Sequence, residues 1–384
     1  MTIKNKPSKR PVQRRKVLAR TATAKRMLAP DRLLESLSLN RSNSPFMAGI
    51  AGLQAALSLL AAIVLVRHSL WPELVAFPAL GALAALFGRF APLPKRHGIV
   101  WLCALQLTGA VFVTSLASYI GLSPAMVVLV VALVAALSTI AFSYWNLGGP
   151  GAVIIVFAAG AAMTPVDSWM MVVERTVATA GGGLVAWLIT TSTDFLRLPA
   201  LSKVPADTDN RRPLKNILIA GARIGAGAAA AALIAYAAGW QHPSWAAIGA
   251  TAVMQGGHLH ITMHRALQRM AGTLFGSLLV WLILSADPPF WAIVTAIAVF
   301  QYITEIIIGF NYALGQITVT PMALLMTSLA MPAANGADMA IERVFDTMLG
   351  AILGIAFAVF FSTFDDRRYL ATYHRARKSG RPAP

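Results

Sequence analysis

An all-α polytopic membrane protein, with about twelve transmembrane helices in two parallel six-helix repeats, is the fold class this sequence predicts. Three observations carry it: an apolar composition, hydrophobic windows of membrane-spanning length, and phrases that recur between the halves. Of 384 residues, 57% are hydrophobic and only 12% charged, where a soluble domain carries about 25% charged residues. The charges crowd into the two ends, a middle linker and short loops. The stretches between them approach the ~20 residues that cross a hydrocarbon core as a helix.

Apolar windows in the first half fall near 47–67, 71–90, 98–118, 124–143, 148–164 and 169–191. The second half repeats the count near 215–237, 244–257, 266–285, 289–309, 312–331 and 340–362. The fifth and eighth windows are short, and a ten-span count holds if both are re-entrant. Five regions result: a basic N-terminal tail (1–44), a first membrane repeat (45–193), a polar linker (194–214), a second repeat (215–363) and a basic C-terminal tail (364–384). With the N-terminus inside, the predicted inner segments hold both tails, Arg89, Lys95, Arg96, Arg265 and Arg269, whereas the outer loops hold Arg67 beside Asp167, Asp287 and Asp338. That asymmetry predicts two cytoplasmic termini.

The net charge of +17 has the same origin, since 12 of the 32 Lys and Arg lie in residues 1–41 and six more follow residue 366. Basic tails beside membrane spans suit anionic lipid. No aromatic-interleaved basic surface suits nucleic acid, and no cleavable secretory signal is evident. The single cysteine, Cys103, rules out an intrachain disulfide and a cysteine metal site. "GGPGAV" lacks the Lys-Ser/Thr of a phosphate loop, and no nucleophile–base arrangement stands out. Neither an enzyme nor a cofactor is expected.

The halves echo each other. "HSLWPEL" answers "HPSWAAI", with Trp71 and Trp245 offset by 174, and Arg96 and Arg269 follow those tryptophans by 25 and 24 residues. "MVVERTVATAGGG" (171–183) returns as "MAIERVFDTMLGA" (339–351), pairing Glu174-Arg175 with Glu342-Arg343 at an offset of 168. An even span count makes the repeats parallel, with an axis along the membrane normal and an interface able to hold a pathway. A charge at mid-membrane costs roughly 2.5–3.5 kcal/mol on insertion scales. The two Glu-Arg phrases are therefore expected either as ion pairs locking the repeats together or as transport residues.

Other ionisable residues sharpen the second half. Asp346 stands where the first copy has Ala178, four after Glu342 and three after Arg343. Two neighbouring carboxylates in low dielectric cannot both ionise cheaply, which suits proton binding; simple neutralisation by Arg343 is the alternative. Arg223, in "GARIGAGAAAAALIAYAAG", offers a planar fork suited to a carboxylate, or snorkels to the interface. Glu305 relays protons or packs against Arg269. His258, His260 and His264 read as an interfacial loop sooner than a metal site, because no carboxylate or cysteine accompanies them. The glycines at 272–276 and 350–354 predict close helix contact.

In "HRALQRMAGTLFGSLL", "NYALGQITVTPMALL" and "ERVFDTMLGAILG", and more loosely in "KRHGIVWLCALQLTGA" and "ERTVATAGGG", the sequence resembles the fusaric acid resistance (FUSC) and aromatic acid exporter superfamily. The resemblance covers most of residues 45–362. Many relatives carry a large cytoplasmic domain where this chain has a short linker and tail. It implies export of organic anions, especially aromatic carboxylates, and for some relatives a periplasmic adaptor partner. It also gives weight to Asn311 and Tyr312 as hydrogen-bond donors to an anion. A more distant likeness to plant malate channels keeps a passive channel open. The expectation is a secondary transporter in which Arg223 and Arg343 face the substrate while Glu342, Asp346 and Glu305 carry a coupled proton. A non-transporting scaffold is the alternative of a different class, and a homo-oligomer stays open.

Overall fold

The computed structural model describes residues 45–197, 213–255, 259–330, 336–362 and 367–373. The N-terminal tail, most of the linker and the end of the C-terminal tail, with the lipid contacts expected of them, lie outside the described residues. In the first half, α1 (Pro45–Arg67) leads to a short α2 (Ala76–Ala82) flanked by 3-10 turns at Pro72–Leu74 and Leu83–Leu86. Then come α3 (Leu93–Tyr119), α4 (Pro124–Trp145), a short α5 (Val153–Ala161) and α6 (Trp169–Thr193), which ends in a 3-10 turn at Asp194–Arg197. The second half holds α7 (Leu214–Ala237), a short α8 (Ser244–Met254), α9 (Leu259–Ser285), α10 (Phe290–Ile307), α11 (Tyr312–Ala330) and α12 (Gly336–Phe360). Local chemistry sets several ends. Ser168 accepts a hydrogen bond from Met171 N to cap α6, Pro124 starts α4, and Asn146 closes α4 in the left-handed region at φ 50°.

The windows thus become twelve helices, but only nine of the described ones are long and apolar enough to cross a membrane. The fifth and eighth segments are short, as the sequence suggests. The expected span at 71–90 is a correction: it is broken, and its helical part covers only Ala76–Leu86. Pro72 and Pro78 remove backbone donors, and Gly88 turns the chain at φ 68°. Eleven helical residues reach about 16 Å, half a hydrocarbon core. Every residue of α2 and of α8 is buried. Hydropathy cannot separate such a helix from a lipid-spanning one, because both are apolar all round. Broken backbone is tolerated at membrane depth when protein surrounds it.

Arg89, in the turn before α3, reaches Glu305 near the end of α10 at 3.2 Å, so these turns share one face. We call it the basic face and its opposite the far face. At the basic face Asp194 binds the guanidiniums of Arg96 and Arg197, and Gln54 of α1 accepts from Arg96 Nη2 at 2.8 Å. Arg197 also donates to the carbonyl of Arg89. This buried cluster ties α1, the α2–α3 turn, α3 and the end of α6 together.

Backbone-to-backbone packing sets the rest. A Cβ on Gly182 of α6 would fall 1.9 Å from Pro78 O of α2, and one on Gly350 of α12 would fall 2.4 Å from Ala246 O of α8. Any larger residue would force these helices apart. The halves join where α5 meets α8, and also along α1 against α10 and α4 against α7, the last two again over glycines: Gly52 against Tyr302 O and Gly225 against Ala136. Gly272 and Gly276 of α9 seat on α11 beside Gln316 and Pro321. The short helices α2, α5 and α8 fill the middle of the bundle.

Candidate functional site

Two cavities meet at the centre. The larger, about 600 Å³, has a rim at the basic face made by Gly149, Pro150 and the turn from Ile308 to Asn311. The other, about 420 Å³, is rimmed at the far face by Thr164, Pro165 and residues 239–243. Phe157 of α5 and Ile248 of α8 line both. Between them α5 and α8 touch so closely that a Cβ on Gly160 would meet Ser244 at 2.7 Å. The two short helices run antiparallel, side by side, with Gly160 against Ser244 at one end and Val153 against Gln255 at the other, and together form the septum.

The central cavity is cationic and amphipathic. Arg265 and Arg269 come from α9, Arg343 from α12, and Gln301 and Glu305 from α10. Glu305 is already held by Arg89. Arg269 Nη1 donates to Tyr312 Oη at 3.3 Å and to Gln316 Oε1 at 3.1 Å, so α11 aims it. Arg265 stands over the Tyr312 ring at 5.7 Å. Asn311 Oδ1 accepts from Ala313 N at 2.7 Å and caps α11. Gln301 is 1% exposed, and its Oε1 has no hydrogen-bond partner. Apolar faces of Val153, Ile154, Phe157 and Met322 complete the wall.

Deepest in the cavity lies Arg343, 2% exposed, with its guanidinium carbon 5.1 Å from the centre of the Trp245 ring. Its Nε and Nη1 have no hydrogen-bond partner. Three residues on, Asp346 is fully buried and neither carboxylate oxygen accepts a hydrogen bond. Buried charged groups are normally paired, and an orphaned one asks for an explanation. Arg175, 168 residues earlier, makes the same ring contact, 5.2 Å from the centre of Phe77, which itself precedes Trp245 by 168. The geometric counterpart of Trp245 is therefore Phe77, and not Trp71 as the phrase "HSLWPEL" suggests. Arg175, however, is satisfied: Nη1 donates to Thr164 O at 3.1 Å and Nη2 to Pro165 O at 2.9 Å.

Several expected partnerships do not form. Neither Glu174-Arg175 nor Glu342-Arg343 makes an ion pair among the described residues, since neighbours in sequence point about 100° apart on a helix. Glu342 instead accepts from His242 N at 2.7 Å and lies 2.8 Å from His242 Nδ1, tying the α7–α8 turn to α12. The His242 ring stacks on Trp245 at 4.1 Å between centroids. Glu305 meets Arg89, not Arg269. Arg223 lines a separate side pocket between α4 and α7, apart from the cavity of Arg343. His264 lines the central cavity; His258 and the His260 side chain lie outside the described residues. Missing from the sequence reading as site residues were Arg269, Gln301 and Gln316. Gln316 lies one helical turn after Tyr312, a spacing that signals a shared face once Tyr312 is singled out.

Residues 229–357, which include α8 to most of α12, match the family model described as fusaric acid resistance protein-like. That stretch holds Trp245, Arg269, Asn311, Tyr312 and Arg343. Over that stretch, about a third of the chain, the sequence is similar to the fusaric acid resistance-like family. A stretch of 139 residues, 36% of this chain, is 34% identical to the uncharacterized membrane protein YvaC of Bacillus subtilis (strain 168), and covers 22% of that protein. No solved structure matches. The matched stretch supplies nearly all the polar wall of the central cavity. The first half supplies the α5 side of the septum and the Arg89 that holds Glu305.

Proposed function

We propose that this chain is a secondary transporter that exports small organic anions, aromatic carboxylates foremost, across the bacterial inner membrane with proton coupling. One observation carries the reading: two cavities abut at a thin septum, and the larger ends at a buried guanidinium with unfilled hydrogen-bonding capacity. A carboxylate answers a guanidinium in fork geometry. Ile248, Phe157 and Met322 offer an apolar bed for a ring, while Tyr312, Gln301 and Asn311 offer polar contacts at its edge. Arg343 and Arg269 take the substrate charge, and Asp346, one turn from Arg343, takes the proton. Glu342 acts through its clasp on His242, and Glu305 holds the basic-face gate with Arg89.

In this reading the halves are parallel repeats, supported by the constant offset of 168 between Phe77–Arg175 and Trp245–Arg343 and by the crossed packing of α1 on α10 and α4 on α7. Both termini are cytoplasmic, the basic tails bind anionic lipid, and a periplasmic adaptor and a homo-oligomer are expected partners. The test is movement of labelled aromatic carboxylate in proteoliposomes with an imposed pH gradient. Accumulation against the substrate gradient that a protonophore collapses supports coupled transport. Flux that ignores the pH gradient makes the chain an anion channel. No flux across a panel of aromatic carboxylates, by protein that has inserted, overturns the reading.

A further inference from the structure

His242 lines the far-face cavity, about 420 Å³, from the α7–α8 turn. Its Nδ1 lies 2.8 Å from Glu342 Oε2, and because a carboxylate only accepts, Nδ1 is the donor. Its backbone N donates to Glu342 Oε1 at 2.7 Å, so one carboxylate fixes both the turn and the ring. Trp245 sets the plane of that ring, stacked on it at 4.1 Å between centroids with 9° between the planes. What remains is Nε2, which is buried and has no hydrogen-bond partner. The same Trp245 ring carries Arg343, whose guanidinium carbon lies 5.1 Å from its centre and which lines the central cavity. One indole therefore links an open guanidinium on the central side of the septum to an open imidazole nitrogen on the far side.

We infer that the far-face cavity is a second substrate site, in which His242 Nε2 receives the carboxylate of an aromatic acid after Arg343 releases it. The inference rests on the transport reading and deepens it. An imidazole whose Nδ1 is given to a carboxylate binds an anion only as the imidazolium, donating from Nε2. Glu342 supplies the counter-charge that steadies this form, as the carboxylate of a catalytic triad does for its histidine. Trp240, Trp245 and Phe157 give the ring of the acid an aromatic bed in the same cavity. The charged and titratable groups around His242 are Glu342, with Arg343 and Asp346 further along α12, and Tyr236 near the end of α7. Among the described residues, α2, α4, α5, α8 and α11 bring no titratable group to this cavity. Binding therefore takes up a proton at His242, and affinity falls as the pH rises.

The test locates the carboxyl carbon of the ligand. Full-length protein with isotope-labelled histidine is reconstituted in phosphatidylcholine bilayers with benzoate labelled at its carboxyl carbon, and the nitrogen–carbon dipolar contact is read by solid-state NMR. A contact within hydrogen-bond reach of a ring nitrogen is expected, lost in His242→Gln and absent with labelled benzamide. Half-saturation should need about fivefold more benzoate at pH 8 than at pH 6. A contact of equal strength in His242→Gln would belong to surface histidines and overturn the site. Equal contacts with benzoate and benzamide, or half-saturation that ignores pH, would overturn it as well. Arginine labelling shows that His242→Gln is folded: the contact between benzoate and Arg343, assigned by difference from Arg343→Gln, should persist. Where that contact is lost too, Ala161→Trp decides, because it fills the far cavity from α5 and leaves His242 and Glu342 in place. It should abolish the histidine contact, and a contact that survives it overturns the site. A histidine contact without an arginine contact keeps this site and removes Arg343 from the pathway, whereas the opposite pattern removes this site alone. Both contacts in protein that shows no flux keep the binding site and remove the transport reading.

Discussion

α6 and α12 share a phrase and a pose. Each packs glycine-to-backbone on a short helix, and each lays an arginine over an aromatic ring of that helix. They differ in what surrounds the guanidinium. Arg175 spends its donors on the carbonyls of Thr164 and Pro165, and the residue one turn after Glu174 is Ala178. Arg343 has two buried nitrogens without acceptors, and the matching residue is Asp346. The same scaffold thus supports a closed structural contact in one half and an open, charged one in the other. A guanidinium that already has its acceptors adds stability; one that lacks them costs stability, and that cost is offset when an anion arrives.

The comparison can be broken by exchanging parts. Arg343→Gln should lower aromatic carboxylate flux by about a hundredfold, the loss of ~3 kcal/mol of charge-assisted binding, with insertion unchanged. Asp346→Ala, which copies Ala178, should abolish accumulation driven by the pH gradient yet leave exchange of labelled for unlabelled substrate at equal pH. Loss of both activities would make Asp346 structural. Arg175→Gln removes two charge-assisted hydrogen bonds and should destabilise the fold by about 2–3 kcal/mol, read as a lower thermal midpoint, with flux little changed. Trp245→Phe, which copies Phe77, keeps the ring contact and should weaken substrate affinity only about threefold, while Trp245→Ala should weaken it further.

Why the sequence told part of this and not the rest follows from particular residues. The windows for α1, α3, α4, α6 and α7 match the helices because lipid demands long apolar runs there. The 71–90 window fails because burial in protein demands the same apolarity from an eleven-residue helix. The Glu-Arg phrase marks one turn of α6 and of α12, but residues adjacent in sequence there are not adjacent in space. Each arginine faces the short helix beneath it, and Glu342 faces His242 a hundred residues away. Arg223 and Arg343 look equivalent as lone cations in apolar helices, yet α4 and the α4–α5 turn stand between the Arg223 pocket and the central cavity. Only packing tells these apart. Sequence alone offers Arg269 as an orientation signal, a repeat marker and a packing partner for Glu305, because its aiming partners, Tyr312 and Gln316, sit more than forty residues away.

The most direct measurement is a paired one, in which Arg175→Gln and Arg343→Gln are purified side by side and each assayed for thermal midpoint and for proteoliposome flux of labelled benzoate. The expected result is a crossed pattern: Arg175→Gln melts lower and still transports, whereas Arg343→Gln melts at or above the parent and does not. Arg343→Gln that transports normally, or two variants that lose stability and flux alike, would contradict the assignment of the open guanidinium to the substrate.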